Sequence, residues 1–290
     1  EDVEAAVQAA HAASKSWGAT TQRYRADLLT KVSKMLLERL ETLALCESYD
    51  AGKPVRLARI IDIPRAAENF DFFSNMLRTD SQAAHAMADA VNITQRSPVG
   101  VSALVRPWNL PLYLLTWKVA PCLACGNTIV VKASEMTPMT ATALAEVLHE
   151  AGVPPGVFNL VHGSGATAGG PLVGHKLVRL VSFTGGTATG RIVAAAAAPS
   201  FKKVSLELGG KNPAIVFADA NMDAAVEGVS RGFCLNSGQV CLCCPRLLLH
   251  SSIAEEFTRR IVEKAKALQV GDPLEAGTVN GPVISKDHQA

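Results

Sequence analysis

Leu180-Val-Ser-Phe-Thr-Gly185-Gly186-Thr-Ala-Thr-Gly190 is the stretch that decides the fold. It opens as a short β-rich run, Leu180 to Phe183, breaks at two glycines, and passes into a helical run, Thr189 to Ala198. A strand that feeds a helix through a tight turn is the elementary step of a parallel sheet, because parallel strands need a crossover connection. The backbone N–H groups of such a turn are able to hold a phosphate at the helix N-terminus. The plain alternative is a tight turn with no ligand.

Working outward, the same alternation repeats. Val99 to Val105, Thr128 to Lys132, Val157 to Val161, Val204 to Leu206 and Ala214 to Phe217 read as further strands. Between them lie helical runs at Leu112 to Ala124, Pro138 to Ala151 and Ala166 to His175. Thr137-Pro138 reads as an N-cap with proline at the first helical position, and Gly152 as a C-cap followed by Pro154. The pattern predicts an α/β fold, a parallel sheet with helices on both faces. The first 80 or so residues are helical in period: Val3, Ala6, Val7, Ala10, then Leu29, Val32, Leu36, Leu40, Leu43, with Gly52 and Pro54 ending that stretch. A third helical segment, Ile60 to Leu77, carries Pro64 and so starts or kinks there. A last helix, Ile253 to Leu268, opens with the capping-box pattern Ser252-x-x-Glu255. Ser81 to Arg96 is the weakest in pattern and reads as a surface excursion.

Composition excludes several classes of function. Among 290 residues, 28 Lys and Arg face 26 Asp and Glu, a net charge of +2, so there is no polybasic surface for nucleic acid and no acidic tail. Hydrophobic residues at 48% against charged residues at 19% describe a chain that folds on a core. No apolar run approaches the roughly 18 residues of a membrane span. The seven cysteines do not form a small-scaffold disulfide framework, which favours a reducing, cytoplasmic location.

Five motifs are candidates for chemistry. Gly163-Ser-Gly165-Ala-Thr-Ala168 matches the dinucleotide glycine fingerprint, but the acid expected about 20 residues later is missing, and pattern alone does not choose between this loop and Gly185-Gly186. Glu207 ends a strand in Glu207-Leu-Gly-Gly-Lys211, where α/β ligand sites form. Cys241-x-Cys243-Cys244 admits a zinc site, a redox pair or a single nucleophilic thiol; zinc lacks a second pair at the usual spacing. Cys122-x-x-Cys125 sits late in an apolar helix. Pro107-Trp-Asn109-Leu-Pro111 is a rigid loop that aims Asn109, whose amide can donate to an oxyanion.

Taken together, these motifs resemble the aldehyde dehydrogenase family. Six occur in one order: Pro107-Trp-Asn-Leu-Pro111, Gly126-Asn-Thr-Ile-Val-Val-Lys132-Ala-Ser-Glu135, Ala151-Gly-Val-Pro-Pro-Gly156, Phe183-Thr-Gly185, Glu207-Leu-Gly-Gly-Lys211 and Gly238-Gln-Val-Cys241. Asp62-Ile-Pro-Arg65, Leu112-Tyr-Leu-Leu-Thr-Trp-Lys118 and Lys211-Asn-Pro-Ala214 are similar to the 2-aminomuconic semialdehyde dehydrogenase branch, which oxidises carboxylated semialdehydes in tryptophan catabolism. The resemblance implies a Rossmann-type sheet, residues 1–208, that binds NAD, and the start of a second α/β catalytic domain, residues 209–290. It implies Cys241 as nucleophile, Glu207 as general base and Asn109 as oxyanion donor. Lys132 and Glu135 would hold the adenine ribose, Gly185 and Gly186 the pyrophosphate turn, and Trp108 and Leu208 would flank the cofactor. Arg65 would pair with a substrate carboxylate.

Departures also carry expectations. Family members are much longer, so the chain reads as truncated at both ends, without the early strands and the later segments of the catalytic domain. Gly186 stands where a Ser is usual and Ala133 where a Pro is usual. Residues 81–96 read as a shortened remnant of the hairpin through which the branch forms homo-oligomers. Two rivals stand beside the enzyme: an inert nucleotide-binding or scaffolding chain, against which Cys241, Glu207 and Asn109 argue, and a thioester passed to coenzyme A, against which Glu207 argues. No metal is expected.

Overall fold

The computed structural model describes residues 1–289. The N-terminal third is helical: α1 (Asp2–Gly18), α2 (Gln22–Glu38), α3 (Leu40–Ala51), the single turn α4 (Val55–Leu57), and α5 (Ile63–Thr79), which follows a π-helical turn at Ala58–Asp62. Pro64 lies in the first turn of α5, where its missing N–H costs nothing. Gly52 closes α3 with φ 69°, a left-handed conformation that favours glycine.

Residues 81–96 carry a small antiparallel hairpin, β1 (Ala84–Ala86) with β2 (Val91–Ile93), exposed along both strands. Then come β3 (Val101–Val105), α6 (Pro111–Ala124), β4 (Thr128–Lys132), α7 (Met139–Ala151), β5 (Phe158–Val161), α8 (Gly170–Gly174), β6 (Val178–Gly185), α9 (Thr187–Ala197) and β7 (Lys203–Leu208). The five strands β3 to β7 form a parallel sheet in the order β5-β4-β3-β6-β7. Alternation along the strands divides the core. Leu104, Ile129 and Val131 face α2, α5, α6 and α7; Ala103, Val130 and Val181 face α1, α8 and α9. The sheet with helices on both faces is the architecture the alternation predicts. The order reverses between β3 and β6, which opens a crevice at the carboxyl ends of those two strands.

The remaining residues build β8 (Pro213–Val216), α10 (Met222–Cys234), β9 (Arg246–Leu249), α11 (Ala254–Lys266) and the short α12 (Lys286–Gln289). β8 and β9 pair in parallel, and Val216, Val226, Phe257 and Ile261 pack beneath them. Ile215 and Leu248, directly opposite each other, remain exposed on the other face. Among the described residues no helix is long and apolar enough to cross a membrane.

Several local readings need correction. Thr137 does not cap α7: its Oγ1 accepts from the Arg106 guanidinium at 2.9 Å, and the helix is capped instead by Asp50 Oδ2, which accepts the Met139 N–H at 2.8 Å. Ser252 does not cap α11. Its Oγ is held 2.9 Å from His250 Nδ1, a 3-10 turn at Ser251–Ile253 intervenes, and the helix begins at Ala254. The run Ala166 to His175 is helical as read, but its first turn, Gly165–Gly169, is π-helical and passes without a break into α8. β9 was not expected: Leu247-Leu-Leu249 lacks the β-branched residues that mark a strand.

Candidate active site

The carboxyl ends of the central strands lie level: Val105 pairs with Lys132 and with Phe183, and Gly185 with Leu208. Each candidate loop therefore leaves the sheet on one side. The loop after β3 is anchored by Arg106, which is buried and donates to the Thr137 carbonyl and to Pro107 O at 3.0 Å. Burial pushes its guanidinium down to about 10, against the pull of the Glu47 and Asp50 carboxylates. Pro107 and Pro111 bracket Asn109, and α6 starts at Pro111.

Asn109 reaches across to the loop that precedes Cys241. Its Nδ2 donates to Gln239 O at 2.9 Å, and Asn236 Nδ2 donates back to Asn109 O at 3.0 Å. Asn236, Ser237 and Gly238 are three consecutive left-handed residues, with φ 54°, 56° and 76°. Two non-glycine residues there store about 1–3 kcal/mol each, a strain that persists only where surrounding bonds over-determine the turn. Here Ser237 Oγ donates to Gly281 O at 2.9 Å, and Gln239 Oε1 accepts the Ile284 N–H at 2.9 Å. The Cys241 carbonyl accepts from Asn212 Nδ2 at 3.0 Å.

Cys241 itself is exposed. Its neighbours are tied to backbone carbonyls: Cys243 Sγ to Phe233 O and Cys244 Sγ to Leu242 O. Burial raises the Cys243 thiol, and pushes Cys122 up to about 12. Burial likewise raises Cys125. Neither cysteine of the Cys122-x-x-Cys125 pair is thus primed as a thiolate. Among the described residues no group of His, Cys, Asp and Glu is arranged to hold a metal ion.

A cavity of about 410 Å³ brings the catalytic candidates together: Asn109, Glu207 and Cys241 all line it, with Trp108, Gly185, Gly186 and Leu208. A second cavity of about 610 Å³ continues from it, lined by Lys132, Glu135, Val173, Ile192 and Val193. Pro107, Trp108, Thr184, Gly185 and Gly186 belong to both, so the two form one groove along the sheet's carboxyl edge. Lys132 Nζ lies 2.6 Å from Glu135 Oε2. Partial burial works against the Glu135 charge, but the Lys132 ammonium outweighs it and holds the carboxyl below the ordinary range. Arg65 is not among the residues lining either cavity. It lies on α5, 2.8 Å from Glu68 and over the ring of Tyr113, whose neighbour Leu114 lines the first cavity.

Hydrogen bonding separates the two glycine loops. In the first, the Thr167 N–H is taken by Ser164 Oγ and the Ser164 N–H by Thr167 Oγ1, both at 3.1 Å. In the second, α9 begins after Gly186 with no side-chain cap, leaving orphan N–H groups that face the groove. A Cβ at Gly186 would meet nothing within 4 Å, so the cradle is open. These residues fit a dinucleotide: apolar walls and the polar Lys132–Glu135 pair in the larger cavity, uncapped amides at the waist, and the thiol beyond.

Lys118 is a neighbour that the motifs did not single out for a role. It is buried on α6, donates to Ser182 Oγ at 2.8 Å, and is pushed by burial down to about 8, against the pull of the nearby Glu207 carboxylate. A lone lysine in the apolar run Leu115 to Ala120 was the available signal.

The profile of the aldehyde dehydrogenase family matches residues 1–290. The chain is 47% identical over 290 residues to a 2-aminomuconic semialdehyde dehydrogenase of Danio rerio, covering 99% of this chain and 60% of that protein. Among solved structures, a putative aldehyde dehydrogenase from Burkholderia cenocepacia superimposes with a TM-score of 0.97 at 42% identity, over 99% of this chain and 59% of that one. PnpE in complex with nicotinamide adenine dinucleotide superimposes with a TM-score of 0.95 at 42% identity, over 98% and 58%. The chain thus spans about 60% of the length of the curated relatives it matches.

Proposed function

The chain belongs to the aldehyde dehydrogenase family, and from that premise we propose that it oxidises an aldehyde to the acid through a thioester on Cys241, with NAD as hydride acceptor. The observation that carries this reading is the convergence on one cavity of Glu207, from the end of β7, with Asn109 and Cys241, from two separate loops. Residues 1–208 act as the cofactor-binding part and residues 209–290 as the part that brings the nucleophile.

Cys241 Sγ attacks the aldehyde carbon as the thiolate. The oxygen of the adduct becomes an anion, and the Asn109 amide and the Cys241 backbone N–H donate to it. Bound NAD supplies an acceptor for the hydride that leaves the tetrahedral carbon. A thioester remains on Cys241. Glu207 takes a proton from water, the resulting hydroxide attacks the thioester carbon, and the acid departs as the thiolate reforms. Lys132 and Glu135 hold the adenine ribose, and the acid at Glu135 favours NAD because a 2′-phosphate there would be repelled. Trp108, Leu208, Gly185 and Gly186 enclose the middle of the cofactor.

The substrate is a carboxylated semialdehyde of the 2-aminomuconic type. Arg65 supports this: its partner Glu68 is an exposed ion pair, worth about 0–1 kcal/mol, and readily exchanged for a substrate carboxylate. The protein works in the cytoplasm, where its seven free cysteines stay reduced, and as a homo-oligomer through the hairpin at 81–96. NADH formation by the chain with a panel of neutral and carboxylated aldehydes tests the proposal. Cys241→Ala is expected to abolish it while leaving NAD binding intact; a variant that loses both overturns the division of roles.

A further inference from the structure

Beneath the groove lies a cluster of buried charge that the chemistry above does not use. Glu47, Lys53 and Asp62 have side chains at 0%, 0% and 1% exposure. Lys53 Nζ sits 2.8 Å from Asp62 Oδ1 and 3.4 Å from Glu47 Oε2. Apolar residues of similar volume would join these helices at least as stably, so burying three charges is a costly way to achieve packing alone. What the charges provide is direction. Lys53 grips one oxygen of Glu47, and the other, Oε1, accepts the Leu112 N–H at 2.7 Å and the Thr140 hydroxyl at 3.1 Å.

Leu112 is the second residue of α6, and its N–H has no partner within the helix. The same first turn continues directly from the loop that carries Asn109. Asn109 is held at its far side by the Gln239 carbonyl, two residues before Cys241. The loop is therefore pinned at both ends, by Glu47 on one side and by the nucleophile's own loop on the other. We propose that Glu47, locked in place by Lys53 and Asp62, is a positioning residue that sets the height of Asn109 against Cys241. Its effect passes through the first turn of α6 and not through contact with substrate.

This rests on the proposed function only for its kinetic arm. Two substitutions in the full chain separate reach from charge. Glu47→Asp keeps the buried charge but withdraws the carboxylate by roughly 1.5 Å, one carbon–carbon bond. Glu47→Gln keeps the reach to Leu112 and gives up the charge. Hydrogen exchange of the segment 108–116 is expected to rise about tenfold in Glu47→Asp, and by less in Glu47→Gln, which keeps the bond to Leu112 but loosens the Lys53 grip. In Glu47→Asp kcat is expected to fall about 10- to 100-fold, the scale of a misplaced catalytic group, with KM for NAD little changed. Alkylation of Cys241 by iodoacetamide is expected to hold its wild-type rate. Unchanged exchange at 108–116, exchange that rises equally across α2 and α5, an undiminished kcat, or Glu47→Gln as impaired as Glu47→Asp would each overturn the proposal. Asp62→Asn is the second route: it frees Lys53 from its closer partner without altering Glu47, and unchanged exchange in that segment overturns the proposal even where Glu47→Asp does not fold. A wild-type chain without Cys241-dependent NADH formation counts against the proposed function, and the exchange measurements still decide the positioning.

Discussion

Asn109→Ala separates two jobs, one seen in the structure and one that the proposed mechanism assigns to the same side chain. In the resting structure its Nδ2 ties the loop after β3 to Gln239 O at 2.9 Å. Removing it leaves that carbonyl with Asn236 Nδ2 at 3.5 Å, a marginal bond, so the tether is largely lost. A hydrogen bond of this kind contributes about 0.5–1.5 kcal/mol to stability. The second job exists only during reaction: an oxyanion donor is worth about 2.7–4 kcal/mol, or 10²- to 10³-fold in kcat. The kinetic effect is thus expected to exceed the structural one by a wide margin. The assay is NADH formation at saturating aldehyde, run beside alkylation of Cys241 by iodoacetamide and thermal unfolding. Alkylation proceeds without an oxyanion, so it reports the thiol alone. Turnover is expected to fall steeply while alkylation holds and the unfolding temperature drops by a few degrees. Alkylation that falls as far as turnover would refute the reasoning, because Asn109 would then act by placing Cys241.

Three further outcomes follow from the geometry. Arg65→Ala is expected to raise KM for carboxylated aldehydes by about tenfold or more, the worth of a charge-assisted bond, and to spare neutral ones; equal losses on both would remove Arg65 from the substrate site. Gly281→Ala would place a Cβ 1.8 Å from the Gly52 carbonyl oxygen, a backbone atom that cannot swing away. Because Ser237 Oγ is bonded to Gly281 O, the Cys241 loop is expected to shift with it, lowering stability by about 1–3 kcal/mol and slowing turnover; an unchanged melting temperature would contradict this. For Lys118 the folded value near 8 lies below that of the unfolded chain, so the folded protein binds fewer protons between about 8 and 10.5 and its stability rises with pH across that window. Lys118→Met is expected to flatten that rise in melting curves taken from pH 7 to pH 10, and an identical slope in both proteins would rule it out.

How much of this was legible beforehand depended on the range of the interactions. The central strands are short apolar runs rich in valine and the helices keep their period, so local chemistry marks them. Asn109, Gly186 and Glu207 stand at or just past those strand ends, whereas the Cys241 loop follows α10. What escaped was set by partners distant in the chain. Glu47 finds the Leu112 N–H 65 residues away, and Asp50 finds that of Met139 at a distance of 89. Thr137 looked like a cap because nothing in its neighbourhood announces Arg106, 31 residues earlier. Pattern alone left the two glycine loops level and the resemblance favoured Gly185-Gly186; that side chains already occupy the amides of the other loop is visible only in the fold.

The groove draws Asn109 and Glu207 from the five-stranded sheet and Cys241 from the segment beyond Asn212, with the exposed linker Gly209-Gly210-Lys211 between them. Neither piece owns a complete reaction centre. On the proposed mechanism, cutting the chain in that linker would yield two fragments, one with the thiol but neither Asn109 nor Glu207, the other with both of these and no thiol. With the activity proposed for the whole chain, each would be silent alone and the ultraviolet absorbance of NADH would appear only where the two had found one another, the behaviour of a split reporter of molecular proximity.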